Sequence, residues 1–200
     1  LAVANAPSQL VARLDQDDIA LPTRLQEQVG FLHAFPDYTA VLSNLTRFTS
    51  RGTDFGAYAA PSSEAFSAYD SSKYGCIAHS TICFRREVFL ELGGYRQSVY
   101  PVDDYDLLLR WEEKHRIAVI NKPLIRYRIH SGAGTFKTFA DMQSKTRYVQ
   151  AMADRRRRGE EEFALSRFRD TQREMGFWNE KRVWVQDLGK LEFRRAGLLL

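Results

Sequence analysis

The chain has 200 residues, 44% of them hydrophobic and 27% charged, with a net charge of +4. That is enough for one buried core and a small appendage, and too balanced for a disordered or fibrous protein. No apolar run approaches the ~20 residues that span a bilayer, and Leu1-Ala2-Val3-Ala4 lacks the charged leader and long apolar stretch of a secretory signal.

The first element is a strand-like apolar run, Leu10 to Leu14, which ends in Asp15-Gln16-Asp17-Asp18. Three carboxylates in four positions repel one another unless a cation or a set of donors neutralises them. In an extended run side chains alternate, so Asp15 and Asp17 would share one side and Asp18 take the other. Two carboxylates on one side suit Mg²⁺ or Mn²⁺, which take few protein oxygens and complete their shell with water and phosphate. A solvated acidic turn is the alternative. At the carboxyl edge of an open α/β sheet, where ligands bind, the cluster would be well placed.

Pro22 suits a first helical position, and Leu25, Val29 and Leu32 recur at helical spacing up to Pro36. Thr39 to Ser43 reads as a short buried strand. Residues 44–75 are rich in Gly, Ser, Thr and Asp without lasting period, predicting a long loop with one hairpin around Gly52. The part from Pro61 to Tyr74 is either an acceptor lid or a plain surface loop. Cys76 and Cys83 have neither zinc-site nor disulfide spacing and read as core thiols of a reducing compartment. Ser80 to Phe84 is strand-like, and Arg86 to Leu92 a short helix stopped by Gly93-Gly94.

A second helix is expected from Asp104 to about Lys114, opened by Asp103-Asp104-Tyr105-Asp106. Residues three and four apart share a face, so Asp104 stacks with Leu107, Leu108 and Trp111, the face that packs on the sheet. Asp106 aligns with Arg110 and Glu113 as a solvent-facing set. Partial burial would raise the Asp104 pKa toward the range of a general base, while plain complementing of the helix dipole remains the alternative. Ile117 to Ile120 and Leu124 to Ile129 predict two strands divided by Asn121-Lys122-Pro123. From Thr138 the pattern is helical and highly charged, with Trp178 and Trp184 as late apolar anchors. Arg155 to Arg158 is followed by Glu160 to Glu162, so local charge nearly cancels. A solvated helix face explains this best, with an anionic-lipid contact left open. Nucleic acid is disfavoured because the nearby aromatics form no stacking ladder. Strands alternating with helices give an α/β fold with a helical C-terminal extension.

Several ordered motifs carry a resemblance. They are Ala12-Arg13-Leu14-Asp15-Gln16-Asp17-Asp18 with Leu21-Pro22-x-Arg24-Leu25-x-x-Gln28, and His79-Ser80-Thr81-Ile82-Cys83-Phe84-Arg85. Gly93-Gly94-Tyr95, Asp104-Tyr105-Asp106-Leu107-x-Leu109-Arg110 and Tyr127-Arg128-x-His130 follow. Together they resemble the second half of the family 2 glycosyltransferase domain, a nucleotide-sugar transferase of GT-A type. The resemblance implies an α/β, incomplete GT-A (Rossmann-like) sheet with flanking helices over residues 1–135, and a helical extension over 136–200.

It also implies roles. Asp15 would lie against a sugar nucleotide, and Asp17 would ligate a Mg²⁺ or Mn²⁺ ion bridging its phosphates. Asp104 would deprotonate the acceptor hydroxyl, with Asp103 standing where the family usually has Glu. Arg126, Arg128 and His130 alternate onto one face of the last strand. Arg128 would help hold the diphosphate and His130 would ligate metal or lie beside the leaving group; binding of solvent or nearby acids is the alternative. His79 would line the acceptor side, or be a hydrogen-bonded structural histidine. One-step displacement of this kind, with a base opposite the leaving diphosphate, inverts the anomeric centre.

The expected partners are a nucleotide-sugar donor and a saccharide, lipid-linked or polysaccharide acceptor, in a cytoplasmic protein with peripheral contact at the inner face of the membrane. The nucleoside-binding strand and turn that open the family's domain have no counterpart here. A fragment that binds sugar nucleotide poorly by itself is therefore expected. Two rivals remain: a D-x-D metal-dependent phosphohydrolase of the haloacid dehalogenase type, and a non-catalytic carbohydrate-binding or assembly module derived from a transferase.

Overall fold

The computed structural model describes residues 2–49, 52–58, 64–129 and 139–174. Packing divides the chain into two compact units, Leu1–Arg96 with Leu107–Ile129, and Gln97–Asp106 with His130–Leu200.

The first unit holds the sheet. Its strands are β1 (Leu10–Ala12), β2 (Ile19–Ala20), β3 (Tyr38–Thr49), β4 (Asp54–Tyr58), β5 (Phe66–Ala68), β6 (Cys83–Arg85) and β7 (Arg116–Ile129). They lie in the order β1-β6-β3-β7-β2, with β4 on β3 and β5 on β7. The central pair, β3 and β7, is parallel, running from Tyr38 opposite Arg116 to Thr49 opposite Ile129. β6 runs antiparallel to both β1 and β3. β1 therefore points the same way as the parallel pair, and the acidic segment leaves it at their carboxyl edge.

The two long strands absorb what the sequence breaks up. β3 continues past Ser43 because Leu45 and Phe48 are buried as well. The two strands expected between residues 117 and 129 are one. Pro123 cannot donate to a ladder, and the register shifts there, from Ser43 opposite Ile120 to Leu45 opposite Ile125. Pairing then resumes around the fully buried Leu124 and Ile125.

Residues 44–75 are likewise more regular than composition suggests. The expected hairpin is present: Gly52 has φ 84° at its tip and Thr49 N–H donates to Thr53 O (3.0 Å). β5 docks on β7 through Phe66, whose ring meets Phe31 and Phe35 at centroid distances of 4.9 and 5.0 Å. A single helical turn, α2 (Ser71–Tyr74), is capped by Asp70, which accepts from the Ser72 amide at 2.9 Å. The Pro61–Tyr74 segment thus contains a sheet strand and a helical turn in its described part.

α1 (Arg24–Ala34) follows Thr23 as its N-cap, so Pro22 lies just ahead of the helix rather than in its first position. Its inward face is not the Leu25–Val29–Leu32 stripe. Leu25 is 57% exposed, while Arg24, Gln28, Phe31 and Leu32 are buried. Ser80–Phe84 is not a continuous strand either: a 3-10 turn over His79–Thr81 precedes β6.

α3 (Arg86–Glu91) ends as expected at Gly93 and Gly94. Gly94 N–H donates to Phe89 O at φ 64°, and a Cβ there would come within 2.9 Å of the Phe89 ring, so only glycine fits. In α4 (Asp103–Glu112), Leu107, Leu108 and Trp111 join Phe84 and Val119 in the main core, as the spacing predicts. Trp111 Nε1 donates to Thr39 Oγ1 (2.8 Å). The opposite face departs from expectation. Arg110 is buried and donates to Leu92 O (2.6 Å) and Gly94 O (2.7 Å), answering the open carbonyls at the α3 terminus. Asp106, expected at the surface, is only 1% exposed.

Of the two free cysteines, Cys83 is a core thiol, pushed up to about 11 by burial. Cys76 is exposed, contrary to expectation, because it lies in the connection between α2 and the 3-10 turn.

In the second unit α5 (Phe139–Arg157) and α6 (Leu165–Glu174) bury Tyr148, Val149, Met152 and Phe168. The Tyr148 hydroxyl donates to Phe163 O (2.7 Å). Each arginine of the basic run has a carboxylate partner: Arg155 and Arg158 on Glu160, Arg156 on Glu162, Arg157 on Asp154. The expected local cancellation of charge is realised as ion pairs. Trp178 and Trp184 lie outside the described residues.

Candidate active site

The acidic cluster forms a turn rather than part of a strand. β1 stops at Ala12 and the Asp18 amide donates to Asp15 O (3.2 Å), so the alternation of an extended run does not apply. Each acid is held differently. Asp15 is half-buried; its Oδ1 meets Arg13 Nη2 at 2.7 Å and its Oδ2 accepts from Ser80 Oγ at 2.9 Å. Asp17 is half-buried, and its backbone carbonyl accepts from Arg128 Nε at 2.9 Å. Asp18 is 8% exposed, and its Oδ1 accepts from the Arg128 amide at 2.9 Å. Its Oδ2 is buried with no partner among the described residues. Burial raises the Asp18 pKa, and the neighbouring Asp17 and Asp15 add to the rise against the hydrogen bonds from Ser80 and Arg128.

The turn is positioned from two sides. β2 pairs with β7, Ile19 opposite Arg126, which brings the cluster to the end of β7. From below, Arg24 donates to Arg13 O (2.6 Å), Ile82 O (3.2 Å) and Gln28 Oε1 (3.0 Å). Gln28 Nε2 in turn donates to Thr81 O (2.6 Å) and Val41 O (3.3 Å). The sequence pair Arg24-x-x-x-Gln28 is thus a buried fastener between the acidic segment, the 3-10 turn and β3. Replacing Arg24 with Met leaves Arg13 O and Ile82 O without this donor, at a cost of ~3 kcal/mol or more. The thermal midpoint should fall by ~6–12 °C, read by circular dichroism. Lys, lacking the fork, should recover only part of it.

Arg128 and Arg126 both lie over the buried Phe48 ring, at 4.4 and 4.6 Å. Arg126 pairs with Asp54 (2.7 Å), so of the two only Arg128 touches the acidic turn. His130 lies outside the described residues. His79 is 4% exposed and its Nε2 shares a hydrogen bond with the Tyr95 hydroxyl (2.7 Å). Burial pushes it down to about 3, helped by the Arg13 charge, so the ring is neutral at physiological pH. Its Nδ1 and Arg13 Nη1 are both buried without partners among the described residues.

In the second unit, Asp103 and Asp104 open α4 and are half-buried. The partial desolvation expected for Asp104 is present, and its Oδ1 accepts from the Tyr105 amide at 2.7 Å.

Among the described residues no three His, Cys, Asp or Glu side chains converge in a metal-binding group. Mg²⁺ and Mn²⁺ do not demand one, since they bind through one or two carboxylates plus substrate phosphates. The Asp18 oxygen without a partner among the described residues belongs to a set of three carboxylates, and hard oxygen donors of this kind fit Mg²⁺ or Mn²⁺. Sequence reasoning placed Asp18 in the cluster but not its burial, and missed Arg13 and Ser80 as parts of this arrangement. The available signal was a serine and an arginine inside motifs already singled out.

The sheet, its acidic turn at the carboxyl edge and the flanking helices define a partial GT-A glycosyltransferase fold. TarS of S. aureus, solved as residues 1–349 in complex with UDP-GlcNAc, superposes with a TM-score of 0.53 over 95% of this chain and 58% of that one, at 13% identity. In sequence the chain is similar to WbnJ of Escherichia coli, an O-antigen biosynthesis glycosyltransferase: 27% identical over 139 residues, 65% of this chain and 51% of that one. EpsE of Bacillus subtilis (strain 168) is 31% identical over 140 residues, 68% of this chain and 49% of that one. AmsE of Erwinia amylovora, an amylovoran biosynthesis glycosyltransferase, is 26% identical over 125 residues, 62% and 46% of the two. The chain spans about half the length of these curated relatives. No family model matches it.

Proposed function

We propose that this chain forms part of a glycosyltransferase that moves a sugar from a nucleoside diphosphate to a hydroxyl acceptor, in polysaccharide biosynthesis. The observation that carries the reading is the acidic turn at the carboxyl edge of β1. It is buttressed by a buried Arg–Gln fastener and capped by Arg128, in a fold shared with TarS, solved with UDP-GlcNAc.

Asp17 would hold a Mg²⁺ or Mn²⁺ ion, which would supply Lewis-acid stabilisation of the departing diphosphate, and Asp15 would lie against the sugar nucleotide. Arg128 adds a guanidinium beside the same turn, held by Nε on Asp17 O while its backbone amide donates to Asp18 Oδ1, which preorganises it for an anion. Asp104 is the proposed general base and Asp103 a substrate contact. A neutral, buried His79 suits a hydrogen-bonding role better than proton transfer.

The test is to incubate the full-length protein with a panel of nucleotide sugars and Mn²⁺ and follow the released phosphate species. Nucleoside diphosphate supports the transferase. Inorganic phosphate from a phosphomonoester would favour the phosphohydrolase reading, and binding without turnover the non-catalytic module.

A further inference from the structure

Ser80 has no exposed surface, yet its hydroxyl is the point on which the acidic turn rests. The Asp15 amide donates to Ser80 Oγ (3.2 Å) and Oγ donates to Asp15 Oδ2 (2.9 Å). A hydroxyl has one proton, and Ser80 commits it to Asp15.

The platform under it is rigid. Ser80 lies in the 3-10 turn His79–Thr81, where Thr81 Oγ1 donates to Ala78 O (2.8 Å) and Thr81 O accepts from the buried Gln28 (2.6 Å). Asp15 is thus gripped at both oxygens and its amide, Asp18 is tied to the Arg128 amide, and Asp17 stands between the two. Ser80 Oγ holds both the amide and the carboxylate of Asp15.

We propose that Ser80 is a positioning residue for the acidic turn: it fixes Asp15 and, through the turn, the setting in which Asp17 takes up a divalent cation. This rests on the metal-binding reading of the turn. It extends that reading to a residue outside the carboxylate motif, acting as the outer partners of metal ligands act, by locking their orientation.

The test compares wild type, Ser80→Ala and Ser80→Thr by hydrogen exchange and by Mn²⁺ titration followed by electron paramagnetic resonance. In Ser80→Ala, exchange should quicken in the peptide spanning residues 10–20 and stay unchanged across β3 and β7, while Mn²⁺ affinity falls about tenfold or more. Ser80→Thr keeps the hydroxyl and should restore both. Mn²⁺ affinity in Ser80→Ala equal to wild type, whatever the exchange pattern, overturns the proposal alone. Exchange that quickens equally across β3 and β7 also overturns it, since Ser80 would then only pack the core. Wild type that takes up no Mn²⁺ overturns the metal-binding reading and this proposal together.

Discussion

Asp104→Asn is expected to lower kcat by ~10²–10⁴-fold while leaving the donor KM within a small factor. The asparagine keeps the shape of the side chain and an acceptor for the Tyr105 amide, which Asp104 Oδ1 now engages at 2.7 Å, so α4 should keep its start. What it loses is the property the proposed role requires, an oxygen able to take a proton from an attacking alcohol. Asp104 is half-buried at the start of α4, so the substitution changes neither the fold of the helix nor the size of the side chain. Steady-state kinetics on folded variant checks this. A kcat within about threefold of wild type would remove Asp104 from the chemistry.

The second large effect is expected at Asp17. Asp17→Asn should weaken Mn²⁺ dependence and lower kcat/KM by ~10²–10³-fold, the kinetic equivalent of losing several kcal/mol of Lewis-acid stabilisation. Its backbone contribution, the carbonyl that accepts from Arg128 Nε, is untouched by the substitution, so the turn should persist. The same assay run across Mn²⁺ concentrations separates the two causes of a loss. Recovery at high Mn²⁺ points to weakened metal affinity, whereas activity that is full and metal-independent contradicts the assignment.

Asp17 and Asp104 stand out in the sequence because one follows an apolar run and the other opens an amphipathic helix, and the structure puts them beyond the end of β1 and at the start of α4. The surrounding scaffold was less visible. Leu25, Val29 and Leu32 have helical spacing, yet the helix turns its polar Arg24 and Gln28 inward, since buried backbone carbonyls of three other segments demand donors. Periodicity of apolar residues cannot reveal such a demand, because the carbonyls belong to residues as far as 58 positions away.

The same reason hid Arg110. Its spacing with Asp106 suggested a solvent-facing set, yet both are buried and Arg110 donates to the carbonyls of Leu92 and Gly94 just past α3. Asn121-Lys122-Pro123 looked like a strand boundary because proline lacks a donor, and only the partner strand shows that a register shift absorbs it. β5 was unreadable for another reason. It has one large apolar residue, Phe66, and is held by rings from α1 and β3. The acidic segment was placed correctly along the chain but given the wrong local shape. Its turn is closed by the Asp18 amide on Asp15 O and braced by Ser80, 65 positions on from Asp15.

The configuration of the new glycosidic bond tests the central claim most directly. Nuclear magnetic resonance of the product formed from a sugar nucleotide of known anomeric configuration reads it without reference to any variant. A base on one side of the ring and a cation-bound diphosphate leaving from the other require the anomeric centre to invert. Retained configuration would mean that the sugar is not displaced in one step by a hydroxyl activated at Asp104, and would contradict the account.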